Sequence, residues 1–208
     1  GTDKVEEQRP PVEYTFPTRF LPSPKGLAPA RNVGLRNANG SLVCFLDDDV
    51  ELETDFVERV HSFFDSPAMA DVGGLTGYDT VNYPYPISTR WKLRSMLGIT
   101  PSLIPGDCSY LGRSVPFSFF EPFSGYRDVK WLPGFCQIFR ASAIQGMLYD
   151  EHVIVEDREF SMRVGDHHRL VIWGDLKLAH RQDDEGRHSS WKQTWRAAFG
   201  LGYSFASR

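Results

Sequence analysis

The sequence contains at residues 42–49 the segment Leu42-Val43-Cys44-Phe45-Leu46-Asp47-Asp48-Asp49, an apolar run that ends in three aspartates. A short continuous apolar run predicts a strand buried on both faces, and such strands are typical of the parallel sheets of α/β proteins. Ligands of open α/β sheets bind beyond the carboxyl ends of the strands, so we expect these carboxylates to face the ligand crevice. In an extended chain Asp47 and Asp49 point to one side and Asp48 to the other.

These aspartates are candidate metal ligands. Adjacent carboxylates repel one another unless a cation offsets their charge. Carboxylate oxygens without a Cys or His cluster favour Mg²⁺ or Mn²⁺ over zinc, so Asp47 and Asp49 predict one of these two ions. His180 ends the last predicted strand, and a neutral imidazole beside a cation is a plausible further ligand. The alternatives are solvated acids that cap the next helix and a structural histidine.

The pattern of elements on either side predicts one α/β domain. Residues 1–25 contain five prolines and are expected to be an extended lead-in, followed by a single domain over residues 26–208. Residues 79–128 are rich in Pro, Gly and aromatic residues, which indicates a functional loop. Helices are predicted at 27–39, between Thr54 and Pro67, and at 89–97, 141–147, 156–164 and 190–207. Strands are predicted at 12–16, 42–46, 72–78, 129–132, 135–139, 170–173 and 176–179.

Composition excludes several classes of protein. The 208 residues are 41% hydrophobic and 24% charged, which are ordinary values for a globular domain. The net charge of -4 argues against a nucleic-acid binder, which would normally have a basic face. Three widely spaced cysteines indicate neither a disulfide framework nor a zinc knuckle. The apolar stretches are too short to span a bilayer. We therefore expect a cytoplasmic protein without a nucleic-acid partner.

Two more positions are candidates for chemistry. Glu156 and Asp157 open a predicted helix, where carboxylates are either partners of the helix dipole or, for one of them, a general base. Arg31 and Asn32 lie near the start of the first helix, where free N–H groups and a guanidinium suit a pyrophosphate. The aromatic residues of 79–128 are expected either to stack on sugar rings or to pack beneath the loop.

The order of these motifs resembles family 2 glycosyltransferases of the GT-A fold. The match begins with Gly26-x-x-x-Ala30-Arg31-Asn32-x-Gly34, Ala38-x-Gly40 and Phe45-Leu46-Asp47-Asp48-Asp49. It continues with Trp131-Leu132-Pro133-Gly134 and Arg140, with Asp150-Glu151, Glu156-Asp157 and Arg163, and with His180. The resemblance implies a Rossmann-like, mainly parallel sheet flanked by helices, and it covers about residues 25–181.

The resemblance also implies a reaction and its residues. Asp47 and Asp49 would be the D-x-D motif. Asp49 would bind the Mn²⁺ or Mg²⁺ that bridges the phosphates of a nucleotide-sugar donor, Asp47 would lie near the ribose or the metal, and Arg31 would lie close to the nucleotide. Asp157 would be the base and Glu156 would orient the acceptor or the loop, beside the acceptor-side turn of Trp131 and Gly134. The implied reaction is a displacement with inversion onto a saccharide or lipid-linked hydroxyl acceptor. Bacterial polysaccharide biosynthesis is the implied setting.

One departure from the family concerns the start of the domain. The family begins with a strand and turn that hold the nucleobase and a second strand that ends in acids, and neither precedes Gly26 here. We therefore expect the first strands to be missing, the 208-residue chain to be a poor enzyme that self-associates, and peripheral contact with the inner face of the membrane to come from absent segments. Competing readings are a nucleotidyltransferase on the same fold and a non-catalytic module that binds carbohydrate or cations.

Overall fold

In the computed structural model, residues 16–99, 102–108, 113–153 and 155–181 are described. Their helices are α1 (Leu27–Asn37), α2 (Phe56–Asp65), α3 (Thr89–Met96) and α4 (Glu156–Gly165). Their strands are β1 (Leu42–Leu46), β2 (Val50–Leu52), β3 (Val72–Asp79), β4 (Tyr126–Val129), β5 (Cys136–Arg140) and β6 (Arg169–His180). Short 3₁₀ turns cover Pro67–Met69, Phe117–Phe119 and Ala141–Ile144.

The strands form one mixed sheet in the order β1-β5-β3-β6-β2, with β4 also paired to β6. The two longest strands, β3 and β6, form a parallel pair, with Leu75 opposite Val171. Strand β5 is antiparallel to both β1 and β3, so β1 runs in the same direction as β3 and β6. The predicted mainly parallel sheet therefore has a parallel core, to which the antiparallel strands β2, β4 and β5 are added.

Strand β1 differs from its prediction in burial. Its residues are half-buried or exposed, and Cys44 and Leu46 are in the exposed class. Within the described residues β1 pairs with β5 alone, so it is an edge strand. The expectation of burial on both faces was wrong because an apolar run identifies a strand but does not reveal its place in the sheet.

Helices cover both faces of the sheet. On one face α2 packs Phe56, Val60 and Phe64 into a core with Val171 and Ile138. On the other face, α4 and α1 contribute to a second core that contains the residues listed here: Ala28, Phe160, Val164, Leu132, Phe139 and Ile172. Neighbouring residues such as Ile138 and Phe139 enter opposite cores, as the pleat of a strand requires.

Several predicted elements have different bounds. The last two predicted strands form the single strand β6, whose pairing with β3 shifts register between Gly77 and Tyr78. Segment 79–128 contains α3, a 3₁₀ turn and the start of β4. The predicted helix at 190–207 and nearly all of the predicted strand at 12–16 lie outside the described residues. Among the described helices, none has the length and apolar character needed to cross a bilayer.

Candidate active site

The carboxyl ends of β1, β3 and β6 meet at one edge of the sheet because these strands run in the same direction. Asp47 and Asp49 follow β1, Asp79 ends β3, and His180 ends β6. Strand β5 runs the opposite way, so the turn that precedes it, Pro133–Phe135, lies at the same edge. Sheet topology therefore collects residues from four separate parts of the sequence.

Asp47, Asp49 and His180 form what we call the acidic cluster. Each offers one ligand atom, and these atoms all lie within 4.8 Å of one another. Asp49 Oδ1 lies 3.1 Å from His180 Nε2, yet this buried oxygen accepts no hydrogen bond of acceptable geometry from the described residues. A buried carboxylate oxygen without a donor suits a cation, and two carboxylates with one imidazole form a chemically suitable ligand set.

His180 is fixed from three sides. Its ring is buried and stacks on Phe135, with 4.7 Å between ring centroids. Its backbone N–H donates to Asp79 Oδ1 at 3.3 Å, and its carbonyl accepts from Asn82 Nδ2 at 2.8 Å. Sequence reasoning missed Asp79 and Asn82, although Asp79 ends a strand as Asp47 does. Asp79 orients the Asn82 side chain through a 2.7 Å hydrogen bond, so the two residues act as one support.

Arg31 links the acidic cluster to the start of α4. Its guanidinium donates to Glu156 Oε1 at 2.8 Å and to the Gly134 carbonyl at 3.2 Å, and it lies 3.6 Å from Asp47 Oδ1. The side chain is only 10% exposed. Arg31 therefore brings three predicted site residues together, although the nucleotide contact predicted for it remains a prediction.

Asp157 lies directly over Gly134. A β-carbon at position 134 would come within 2.9 Å of Asp157 Oδ2 and 3.1 Å of Arg31 Nη2, so a side chain there would shift one of these two groups. Glu156 is paired with Arg31, whereas Asp157 forms no ion pair with any described residue. Burial raises the pKa of the Glu156 carboxyl, and the charge of Asp157 raises that pKa further.

Negative charge is crowded in this crevice. Burial raises the pKa of the Asp47 carboxyl, while Arg31 lowers that pKa and Asp49 raises it. His180 and Asp157 contribute smaller effects of opposite sign. Carboxylates thus outnumber the nearby cationic groups, and a bound divalent ion would offset their repulsion.

Asn32 belongs to a second polar group, the amide network of Asn32, Gln137 and Tyr149. Asn32 is 1% exposed, and it exchanges hydrogen bonds with both the N–H (2.7 Å) and the carbonyl (3.0 Å) of Tyr149. The Tyr149 hydroxyl donates to Gln137 Oε1 at 2.8 Å, and Gln137 Nε2 donates to the Asp157 carbonyl at 3.0 Å. The network connects α1 to the backbone of Asp157. The nucleotide contact predicted for Asn32 stays a prediction.

Trp131 lines an aromatic cavity of about 430 Å³ beside the crevice. Pro133 and Phe135, which flank Gly134, form part of its wall, so the cavity borders the turn against which Asp157 packs. Trp131 is 8% exposed and contacts Phe117 edge to face at 4.8 Å. Its indole Nε1 is buried and donates no hydrogen bond to a described residue. A larger cavity, of about 670 Å³, lies between the end of α1 and residues 141–148 and contains none of the predicted site residues.

Comparison with known proteins identifies the family. Residues 6–148 match the family model described as Glycosyl transferase family 2. No curated protein sequence matches the chain.

Two solved structures show the fold. One is the mannosyltransferase PcManGT from Pyrobaculum calidifontis in complex with GDP-Man and Mn²⁺, with a TM-score of 0.52 and 17% identity over 88% of this chain and 44% of that one. The other is S. aureus TarS 1-349 in complex with UDP-GlcNAc, with a TM-score of 0.51 and 20% identity over 80% of this chain and 42% of that one. The chain thus spans less than half the length of either structure.

These matches confirm the predicted GT-A fold. The family match covers more than half of the chain and includes the strand with Asp47 and Asp49. The chain belongs to glycosyl transferase family 2.

Proposed function

We propose that the crevice transfers a sugar from a nucleotide-sugar donor to a hydroxyl acceptor with inversion, depends on a divalent metal, and uses Asp157 as the base. The observation that carries this proposal is the contact of Asp157 with Gly134, because the turn of Gly134 touches two different environments. Arg31 joins this turn and the start of α4 to the acidic cluster. The residues on either side of Gly134, Pro133 and Phe135, line the aromatic cavity. A base between a donor site and an acceptor site suits a direct displacement.

The acidic cluster would hold the metal. Mg²⁺ prefers oxygen ligands in an octahedral arrangement, whereas Mn²⁺ also accepts imidazole, so the ligand set of Asp47, Asp49 and His180 favours Mn²⁺ over Mg²⁺. When bound, such an ion acts as a Lewis acid that stabilises the charge on the leaving diphosphate. Arg31 contributes a fixed positive charge at the same edge of the crevice, where its pairing with Glu156 holds the guanidinium.

Asp157 is the carboxylate best placed to accept a proton. The neighbouring Glu156 is engaged with Arg31, which leaves Asp157 as the acid of this pair without an ion-pair partner among the described residues. The bond from Gln137 to its carbonyl and the contact with Gly134 hold Asp157 against the turn whose neighbouring residues line the cavity. An acceptor hydroxyl in that cavity would lose its proton to Asp157 as it attacks the anomeric carbon.

The aromatic cavity would bind a saccharide acceptor. Tyr83, Phe117 and Trp131 offer apolar faces to a sugar ring. Trp131→Phe reduces the aromatic wall of the cavity, so it should raise the KM for acceptor and leave donor binding unchanged. Trp173→Phe, a partly buried tryptophan outside the cavity, is the matched control.

The central test measures donor binding and turnover separately. GDP-mannose and UDP-GlcNAc, the donors bound by the two similar structures, would be titrated with Mn²⁺ and with a chelator. We expect donor binding to require Mn²⁺, and the anomeric configuration of the transferred sugar, followed by NMR, to be inverted. Retained configuration would refute the inversion, and equal binding in the chelator would refute the metal dependence.

A further inference from the structure

Helix α3 and its flanking segments differ in charge from the rest of the chain. From Thr80 to Gly106 the sequence contains no Asp or Glu, and its charged residues are Arg90, Lys92 and Arg94. The whole chain, in contrast, has a net charge of -4. A purely cationic segment in an acidic protein indicates a surface that meets an anionic partner.

The outer face of α3 is apolar. Leu93, Met96 and Leu97 follow the i, i+3, i+4 spacing that places side chains on one side of a helix. They are 53%, 83% and 65% exposed, so they form an unburied ridge. The opposite face is the one packed on the protein, where Trp91 contacts Phe119 edge to face at 5.5 Å. The ridge therefore points away from the domain.

Cations flank this ridge on both sides. Arg90 lies three residues before Leu93, and Lys92 lies four residues before Met96, so each is a helical neighbour of the ridge. Both are exposed, and neither forms an ion pair within the described part of the chain. Helices α2 and α4 differ, since Arg59 of α2 pairs with Glu53 and Arg163 of α4 pairs with Glu159.

We propose that the outer face of α3 binds the surface of an anionic phospholipid bilayer. An apolar ridge with cations beside it matches helices that lie in the plane of a membrane, with apolar side chains at the acyl boundary and cations at the phosphates. Ile99 and Ile104, 40% and 65% exposed, extend the apolar surface beyond the helix. Charge complementarity selects anionic lipid, because the segment provides cations and no carboxylate. The proposal is independent of the transferase chemistry.

Vesicle co-sedimentation tests the proposal directly. The chain would be mixed with phosphatidylcholine vesicles that contain about one third phosphatidylglycerol, and with vesicles of phosphatidylcholine alone. We expect binding to the anionic vesicles, with at least about tenfold weaker binding to the neutral ones, and a loss of affinity as salt is raised. Absence of binding to the anionic vesicles would overturn the proposal.

Paired variants locate the surface. Arg90→Gln with Lys92→Gln should weaken vesicle binding about thirtyfold, and Met96→Ser with Leu97→Ser should weaken it without changing the net charge. Arg36→Gln with Lys177→Gln removes two exposed cations elsewhere and should leave binding nearly unchanged. If this control loses as much affinity for anionic vesicles, the binding depends on net charge alone, and the proposal is overturned. A second outcome would also overturn the proposal. In it, Met96→Ser with Leu97→Ser leaves vesicle binding unchanged but abolishes a concentration-dependent dimer of the parent chain.

Discussion

The acidic cluster and the amide network lie on either side of Arg31 and Gly134, yet their polar atoms are used in opposite ways. In the amide network, Asn32 is fully engaged, with the backbone of Tyr149 and with the Glu151 carboxylate. In the acidic cluster, Asp49 Oδ1 is buried without a hydrogen bond from a described residue. A satisfied buried group contributes to stability, whereas convergent unsatisfied groups indicate a ligand. Motif residues that are adjacent in space can therefore have different roles.

The comparison predicts that the side of the acidic cluster carries the chemistry. Among the variants on this side, substitution of Asp157 should cause the largest loss of sugar transfer. We expect Asp157→Asn to lower the rate of sugar transfer by about 10²- to 10⁴-fold, because a general base contributes that much to a transition state. Donor affinity should not change, so the loss should appear in kcat. Asp65→Asn, an exposed carboxylate on α2, is the control in a transfer assay. If the rate stays within a few-fold of the parent, Asp157 is not the base, and its role is that of a carboxylate that stabilises the N-terminus of α4.

Asp49 should give the next largest effect. We expect Asp49→Ala to weaken Mn²⁺-dependent donor binding by more than about a hundredfold, since losing a direct ligand exceeds the usual cost of losing an outer partner. Metal-free stability should be unchanged or higher, because one of several like charges is removed. Calorimetric titration with Mn²⁺ checks the affinity, and Asp48→Ala, whose side chain is exposed, is the matched control. Equal affinity in Asp49→Ala and the parent would contradict the metal assignment.

Asn32 should show the reverse pattern. We expect Asn32→Ala to lower the free energy of unfolding by about 2–3 kcal/mol, because it leaves buried groups of Tyr149 unpaired. Mn²⁺ affinity should remain that of the parent. Denaturant unfolding measures the change, and Asn37→Ala, which removes one partly buried bond at the end of α1, should cost less. Lost donor affinity at unchanged stability would instead support the nucleotide contact.

His180 should have a smaller effect on metal binding than Asp49. We expect His180→Ala to weaken Mn²⁺ affinity by about tenfold, the lower end of the range for changes around a metal site. Its imidazole is one ligand of three, and a water can replace it in the coordination sphere. His61→Ala on the exposed face of α2 is the control in the same titration. If Mn²⁺ affinity does not change, the role of His180 is its stacking on Phe135.

The pH dependence of metal binding should give the smallest effect near neutral pH. Because the pKa of Asp47 is raised by burial, this carboxyl takes up a proton at a higher pH than an ordinary aspartate. A protonated carboxyl does not bind metal, so Mn²⁺ affinity should fall as the pH decreases, and the fall should begin above the range of an ordinary aspartate. Measuring affinity against pH in His180→Ala excludes protonation of the imidazole. A fall confined to the ordinary range of aspartate would contradict the prediction.

Sequence reasoning predicted the acidic cluster better than the amide network. Asp47, Asp49 and His180 were predictable because each lies at or just after the end of a strand, and strand ends of one direction meet at one edge. Asn32 is bonded to a residue 117 positions away, and no local pattern reveals such a contact. Asp79 was missed because its partners, Asn82 and the backbone of His180, depend on the pairing of β3 with β6. The edge position of β1 likewise follows from the sheet order.

Gly134 has a consequence for how this protein changes over time. The Asp157 side chain occupies the space that a β-carbon at position 134 would need. A mutation to any larger residue at position 134 would displace the acid or Arg31, whereas the acid can be shortened or exchanged without altering position 134. Positions 31, 134 and 157 are therefore coupled, because a side chain at one needs space that the other two occupy. Across descendants of this gene, we expect a larger residue at position 134 only together with a change at position 31 or 157.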